Sequence, residues 1–247
     1  MANRASSAKV FCIDIETSPN IGYTWGKYDQ TVIEPIRGWE ILSFAYKELG
    51  KQPTLCLSRP QFKDKTDRQI TRAIWGVLNS ADVIIAHNGD RFDVIKLRAK
   101  FAQYNLPPTR PFKTIDTKKI AKSHFGFYSN SLNDIARELG IGQKLNTGGF
   151  DLWKRCMAGD PAAWRQMIRY NKWDVVLLEK VYERLKAWHP SHPNLALFED
   201  RPGCPVCSST RVQQRGFRVN ALTKYYRYQC VDCRHWFARS KKMDVAA

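Results

Sequence analysis

"VFCIDIETSPN", residues 10–20, decides how the rest of the chain is read. Val10, Phe11, Ile13 and Ile15 make an apolar strand, yet Asp14 and Glu16 stand in it and just after it. Side chains two apart on a strand point to one face, so the two carboxylates project together at the strand's carboxyl end. Ligand sites in open α/β sheets gather at that end. Paired carboxylates repel, and a cation between them relieves the cost. An oxygen-only pair suits a hard ion such as Mg2+ or Mn2+ rather than zinc. Strand ends emerging into solvent also carry acids, so the pair alone leaves a metal site and a plain surface on equal terms.

The surrounding stretches read as an α/β arrangement. "KVFCIDIE" (9–16), "EILSFAYKEL" (40–49) and "TLCLS" (54–58) are strands bounded by Pro, Gly or charged turns. From Asp64 to Asn79, Ile70, Ala73, Ile74 and Val77 recur at helical spacing, and "DVIIAH" (82–87) follows as a short buried strand. A helix is expected from about Asp90 to Gln103 and a strand over "FKTID" (112–116). In "SNSLNDIARELG" (129–140), Ser131 is the expected N-cap, with Asp134 three residues on and Gly140 as the stop. Gly148 and Gly149 predict a mobile loop, and Asp160-Pro161 opens a helical stretch that continues to about Lys186 as one helix or with a break near Tyr170. Loops at 17–39 and 141–159 are expected to govern access. Three prolines within 187–203 mark a connector. The expected units are residues 8–188, a linker at 189–201 and a small unit at 202–240.

Lys and Arg outnumber Asp and Glu by 40 to 23 in 247 residues, for a formal charge of +17 and a pI near 9.7. That balance favours a polyanionic partner, nucleic acid first, over a charge serving only solubility. No run approaches the roughly 18 apolar residues of a membrane span. "MANRASSAKV" lacks a signal peptide's apolar core. A soluble, cytoplasmic protein without a membrane partner is the expectation. Cys12, Cys56 and Cys156 are scattered among seven cysteines, which as disulfides would leave one over.

Two further acids bear on the first pair. Asp93 lies in "AHNGDRFDVIKL", early in a helix after a buried strand, and Asp174 lies in "RYNKWDVVLL", on a helix followed by Val175, Val176, Leu177 and Leu178. Each is an acid beside strongly apolar neighbours, where an unpaired charge is expensive. The three acidic motifs fall about eighty residues apart. "DIET" (14–17), "NGDRFD" (88–93) and "YNKWD" (170–174), in that order, resemble the D-x-E-T, N-x3-F-D and Y-x3-D motifs of the DnaQ-like 3'-to-5' exonucleases of the ribonuclease H-like superfamily, over residues 8–188. The resemblance implies a ribonuclease H-like mixed β-sheet flanked by helices. It also implies that Asp14, Glu16, Asp93 and Asp174 hold two Mg2+ or Mn2+ ions for phosphodiester hydrolysis. Tyr170, four residues before Asp174, faces the same side of its helix, where a phenol orients the attacking water. Residue 169, where a histidine-type member carries its His, is Arg, so the resemblance is to the tyrosine type. Asn88 and Phe92 are expected to shape the site or touch the terminal nucleotide, His87 to be a packed strand-end residue, and Asp116 a structural acid.

Cys204, Cys207, Cys230 and Cys233 form C-x2-C-x22-C-x2-C. Two such knuckles offer four thiolates to one tetrahedral zinc, and the segment between reads as a β-hairpin, so residues 202–238 resemble a zinc ribbon with one structural Zn2+. Pairing of the knuckles argues against a redox CxxC. From Cys204 onward nine Lys or Arg face two acids, interleaved with Phe217, Tyr225, Tyr226, Tyr228, Trp236 and Phe237. Such a surface suits phosphates and unpaired bases, or docking to a replication or repair protein. Tyr228 and Phe237 are expected to fill the ribbon's own small core. The leading expectation is a metal-dependent 3'-to-5' exonuclease acting on single-stranded or frayed DNA ends. An RNA substrate, a structure-specific endonuclease, and a binding adaptor with an inactive nuclease fold are the competing readings.

Overall fold

The computed structural model describes residues 7–28, 31–64, 66–199 and 202–242. Positions 29–30 of the expected loop at 17–39, position 65 of the first expected helix, and positions 200–201 at the end of the expected linker lie outside the described residues. In chain order the elements are β1 (Val10–Thr17), β2 (Ile21–Tyr23), β3 (Glu34–Arg37), β4 (Ile41–Glu48), β5 (Leu55–Ser58), α1 (Arg68–Asn79), β6 (Val83–Ala86), α2 (Asp93–Gln103), β7 (Lys113–Asp116), α3 (Thr117–His124), α4 (Leu132–Glu138), α5 (Asp151–Met157), α6 (Pro161–Leu185), β8 (Val212–Val219), β9 (Lys224–Cys230) and β10 (Trp236–Lys242).

The main sheet is mixed, in the order β5-β4-β1-β6-β7. β1 is its middle strand, antiparallel to β4 and parallel to β6. Alternation along β1 assigns its two faces. Val10 and Cys12 pack with Ala45, Ile85 and the buried residues of α3, α4 and α6. Ile13 and Ile15 pack with Phe44, Ile84 and the buried residues of α1 and α2. Asp14 and Glu16 continue the Val10 and Cys12 face, so they rise toward α6.

The element ends follow their local chemistry. Ser131 caps α4 by accepting from the Asp134 N–H, and Asp160 caps α6 by accepting from Ala162 and Ala163 N–H with Pro161 in the first turn. Asp116 caps α3 by accepting from Lys118 and Lys119 N–H, which makes it the structural acid expected. The structure refines the reading at four places. α6 runs unbroken past Tyr170, because no Gly or Pro interrupts it after Pro161 and its inner face is buried throughout. Residues 141–159 are not all loop, since α5 lies in them with Leu152 and Cys156 buried one turn apart. Residues 17–39 carry the β2–β3 hairpin. The connector is packed: Leu195 joins the main core, its N–H donates to Pro205 O at 2.8 Å, and Tyr182 OH meets His192 Nε2 at 2.8 Å. β8, β9 and β10 form a separate antiparallel sheet with β9 in the middle. Among the described residues no helix is long and apolar enough to cross a membrane.

One buried ionic group ties the helices of the β1 back face to the sheet. Asp67, fully buried, accepts from Ile41 N–H at 2.9 Å, from Lys100 Nζ at 2.9 Å and from the Tyr104 hydroxyl. Removing one partner strands the other charge. Asp67→Ala is therefore expected to cost about 3–5 kcal/mol, read as a lower denaturant midpoint in urea unfolding.

Candidate active site

The parallel register of β1 with β6 covers only Val10, Phe11 and Cys12, against Val83, Ile84 and Ile85. Beyond Cys12 the strand overhangs its neighbour, and the notch so made is where Asp93 enters. After β6 the chain turns through Asn88, held at φ 70°. The Asn88 N–H donates to Asp116 Oδ1 at 2.9 Å, and its carbonyl accepts from Arg91 and Phe92 N–H. Gly89 follows, where a Cβ would stand 2.3 Å from that of Ala86, so the turn has no room for a side chain. This tight turn brings Asp93, first residue of α2, to β1, where its Oδ1 accepts the Ile15 N–H at 3.1 Å as a neighbouring strand would.

From the other side α6 contributes Tyr170, Asn171 and Asp174, all buried. Asp14, Glu16 and Asp174 each offer a carboxylate oxygen, and these atoms lie within 4.8 Å of one another. One oxygen of each aspartate is tied. Asn171 Nδ2 donates to Asp14 Oδ2 at 2.6 Å while its Oδ1 accepts from Ser43 Oγ at 2.9 Å. Lys144 Nζ donates to Asp174 Oδ2 at 2.6 Å and to Tyr170 OH at 3.1 Å. Asp174 Oδ1, buried, has no partner. A buried oxygen left without a partner on one of three crowded carboxyls fits a hard divalent ion. Trp153 of α5 lies beside Glu16, where its indole favours the charged carboxylate, and meets the Tyr170 ring edge-on, with centroids 6.0 Å apart.

The electrostatics follow from this crowding. Burial first, then repulsion from Glu16, Asp174 and Asp93, holds the Asp14 carboxyl well above the usual range. Burial and Asp174 push Glu16 up to about 8, against the pull of Lys144. Burial raises Asp93 to about 7 although the Ile15 N–H opposes it, and raises Asp174 despite Lys144. Burial pulls Lys144 down, but Asp174 and Asp14 outweigh it and keep the ammonium charged. Burial also raises the Tyr170 phenol, which stays protonated near neutrality.

Of the other residues singled out, Phe92 is 39% exposed next to Asp93 in the chain, with Lys96 Nζ 5.1 Å from its ring centroid. His87 is held neutral by burial, down to about 4, with Nε2 3.0 Å from Asn130 O and Nδ1 2.9 Å from Thr117 Oγ1. It is a packed strand-end residue, as expected. Lys144, Trp153 and Asn171 went unread in the sequence. Lys144 is the one cation in "IGQKLNTGG", Trp153 hides in a two-turn helix beside two glycines, and Asn171 sits between Tyr170 and Asp174 without a motif of its own.

The four C-terminal cysteines also converge. Their sulfurs lie within 4.8 Å of one another, Cys204 and Cys233 at 3.5 Å and Cys207 and Cys230 at 3.6 Å. The knuckles share one backbone turn: Ser208 N–H returns to Cys204 O at 2.9 Å and Arg234 N–H to Cys230 O at 3.1 Å, with Ser208 at φ 56° and Arg234 at φ 65°. A set of four sulfurs in two matching turns is compatible with tetrahedral zinc. Tyr228 and Phe237 stack at 5.8 Å, both partly buried.

Residues 44–186, more than half of the chain, match the family model of the RNase_H superfamily. The chain belongs to the RNase H superfamily. No curated protein matches it by sequence. Among solved structures, its fold is similar to the family B DNA polymerase from the hyperthermophilic archaeon Pyrobaculum calidifontis, with a TM-score of 0.56 and 16% identity over 79% of this chain and 27% of that one. The chain thus spans about a quarter of the polymerase's length, and the likeness is one of fold. The RNase H-like nuclease fold supports nuclease activity in general and a nucleic-acid substrate.

The raised carboxyls set a pH dependence. An acid whose folded pKa exceeds its unfolded value gives stability that is complete below the unfolded value and is lost as pH rises through the folded one. In chelator, the melting temperature is expected to fall as pH rises from about 4 to about 8, the value reached by Glu16. Glu16→Gln should melt higher than wild type above this window and equally below it. Parallel melts across pH check both ends.

Proposed function

We propose that this chain is a metal-dependent 3'-to-5' exonuclease of the tyrosine type, acting on single-stranded or frayed DNA ends. The observation that carries the reading is the meeting of the Asp14, Glu16 and Asp174 carboxyls, one Asp174 oxygen buried without a partner, with Asp93 beside them. Asp14, Glu16, Asp93 and Asp174 would hold two divalent ions, Mg2+ or Mn2+, whose chemistry would be to activate a water and stabilise the leaving 3'-oxygen. The chain's own groups do the rest. Tyr170 keeps its proton and presents its hydroxyl beside Asp174, where it orients the attacking water and the scissile phosphate. Lys144 and Trp153 hold Tyr170 and Glu16 in place. Phe92, exposed and adjacent to Asp93 in the chain, meets the terminal nucleotide in this reading, and Asn88 shapes the turn that precedes Asp93. DNA is favoured over RNA by the likeness in fold to a DNA polymerase.

An end-labelled single strand tests the reading. Cleavage is expected with Mg2+ or Mn2+, none with chelator, and a loss of about a thousandfold or more in Asp14→Ala and Asp174→Ala. Tyr170→Phe is expected to lose about a hundredfold. An intact strand with wild-type protein and metal would leave the adaptor reading. Circular and ribose strands run alongside report end requirement and sugar choice.

In the same proposal the four cysteines hold one Zn2+ and the C-terminal sheet tethers the substrate. Its cations lie over its own rings, Lys224 Nζ 4.0 Å from the Phe217 centroid, Arg227 5.0 Å from that of Trp236 and Arg239 4.7 Å from that of Tyr228, a surface suited to phosphates and stacked bases. Removing residues from 199 onward should weaken DNA binding and flatten its salt dependence while short oligonucleotides are still cut. Unchanged affinity and salt slope would assign the sheet to docking a replication or repair protein.

A further inference from the structure

We propose that the cleft between the end of α6 and the C-terminal sheet is a second binding site for the substrate strand, taking unpaired nucleotides at a distance from the four acids. The inference rests on the reading that the substrate is nucleic acid, and it names the place where the C-terminal sheet and the main body grip that substrate together.

The cleft has a volume of about 750 Å3, within the roughly 300–1,000 Å3 of ligand-binding clefts. Arg184 of α6 and Trp188 of the turn after it line one wall, and Arg234 and Trp236 line the other. The walls are joined where His235 Nδ1 lies 2.8 Å from Ala187 O. Both indoles are large apolar surfaces left open, Trp188 at 54% and Trp236 at 47% exposure. Arg227 Cζ lies 5.0 Å from the Trp236 centroid and adds a cation beside that ring.

Charge selects the ligand. Two acids line the cleft, and both are already matched: Glu183 accepts from Lys186 Nζ at 2.5 Å, and Asp232 accepts from Arg211 and Ser209. Arg184 and Arg234 have no ion-pair partner among the described residues. The charge left over in the cleft is therefore positive, and it stands beside half-exposed indoles. Cations for phosphates next to flat rings for bases are what an unpaired strand requires, whereas an acidic protein segment would use the cations alone. The rings also continue toward the acids. Trp188 meets Phe125 edge-on at 5.3 Å, and Phe125 stacks on Phe127 at 5.1 Å. Three residues on, Asn130 O lies 3.0 Å from Nε2 of His87, which follows β6 and precedes the turn to Asp93. Ten residues of α6 separate Asp174 from Arg184, about 15 Å along the helix. One strand reaching both places must therefore exceed a dinucleotide, which at ~3.4 Å per nucleotide falls short of that span.

Binding is measured first without cleavage. Full-length Asp14→Ala protein, which keeps the strand intact without a chelator near the cysteines, is titrated against a fluorescein-labelled strand of about 16 thymidines, with Kd read by anisotropy at several salt concentrations. Adding Trp188→Ala or Trp236→Ala should weaken binding about fivefold or more, and Trp188→Phe and Trp236→Phe should restore it. Arg184→Gln and Arg234→Gln should each lower the salt slope by about 0.7. Arg184 is exposed, so its variant reports on the cleft even if an indole variant melts early. With Asp14 restored and Mg2+ present, the same changes should raise KM for the long strand at unchanged kcat and leave a dinucleotide unaffected. Unchanged affinity in indole variants that melt like the parent, or an unchanged salt slope in Arg184→Gln, would overturn the inference while leaving the nuclease reading intact. So would cleft variants that keep the strand but lose a labelled peptide of alternating Asp and Phe, which would give the cleft to an acidic protein segment. A wild type that loses affinity through these changes yet cuts nothing with Mg2+ or Mn2+ would remove the nuclease reading and leave the cleft as a binding site.

Discussion

Four carboxylates crowded at one end of a buried strand repel one another, and the surroundings of that strand end are arranged to hold them there. An ammonium lies against Asp174, an amide against Asp14, a backbone N–H against Asp93 and an indole near Glu16. Burial magnifies each of these interactions, since the same low polarity that makes an unpaired charge costly strengthens its pairing. The site therefore stores unfavourable energy that a bound cation would relieve, and its crowded, buried carboxyls hold protons more tightly than free acids do.

That arrangement depends on a mismatch in strand length. β6 stops three paired residues into its register with β1, and the open edge beyond receives Asp93 instead of more strand. Gly89 and the left-handed Asn88 make the turn short enough to reach it. On the opposite side α6 crosses the face that carries Val10, Cys12, Asp14 and Glu16, so one helix serves as core wall at Val175, Leu178 and Val181 and as site wall at Tyr170, Asn171 and Asp174. A break in α6 at Tyr170 would have separated these roles. Its continuity couples core packing to the placement of Asp174.

The C-terminal sheet is joined to this body by packing as well as by chain. His235 Nδ1 lies 2.8 Å from Ala187 O just beyond α6, and Leu195 of the connector fills the main core. A tether of this kind holds its basic, aromatic surface at a set position rather than on a free tail, which suits a role in presenting a substrate.

Strands and most helices were legible in the sequence because alternation and 3.6-residue periodicity survive without knowledge of neighbours, and the Ser131, Asp160 and Gly140 end signals act locally. The four acids and Tyr170 were singled out through the motifs that carry the family resemblance, and the four cysteines through their paired C-x2-C spacing. α5 was not, since two turns beside a Gly-Gly pair carry too little periodicity to stand out. Lys144, Trp153 and Asn171 were not, because a lysine in a loop, a tryptophan on a short helix and an asparagine between motif residues acquire meaning only from what they touch. Residue types and motifs thus pointed to the acids that gather at the end of "VFCIDIET", but not to the lysine, indole and amide around them. Which oxygen each group engages depends on long-range contacts, here spanning 78 residues from Asp93 to Ile15 and 157 from Asn171 to Asp14. Such contacts exist only once the sheet and α6 have packed.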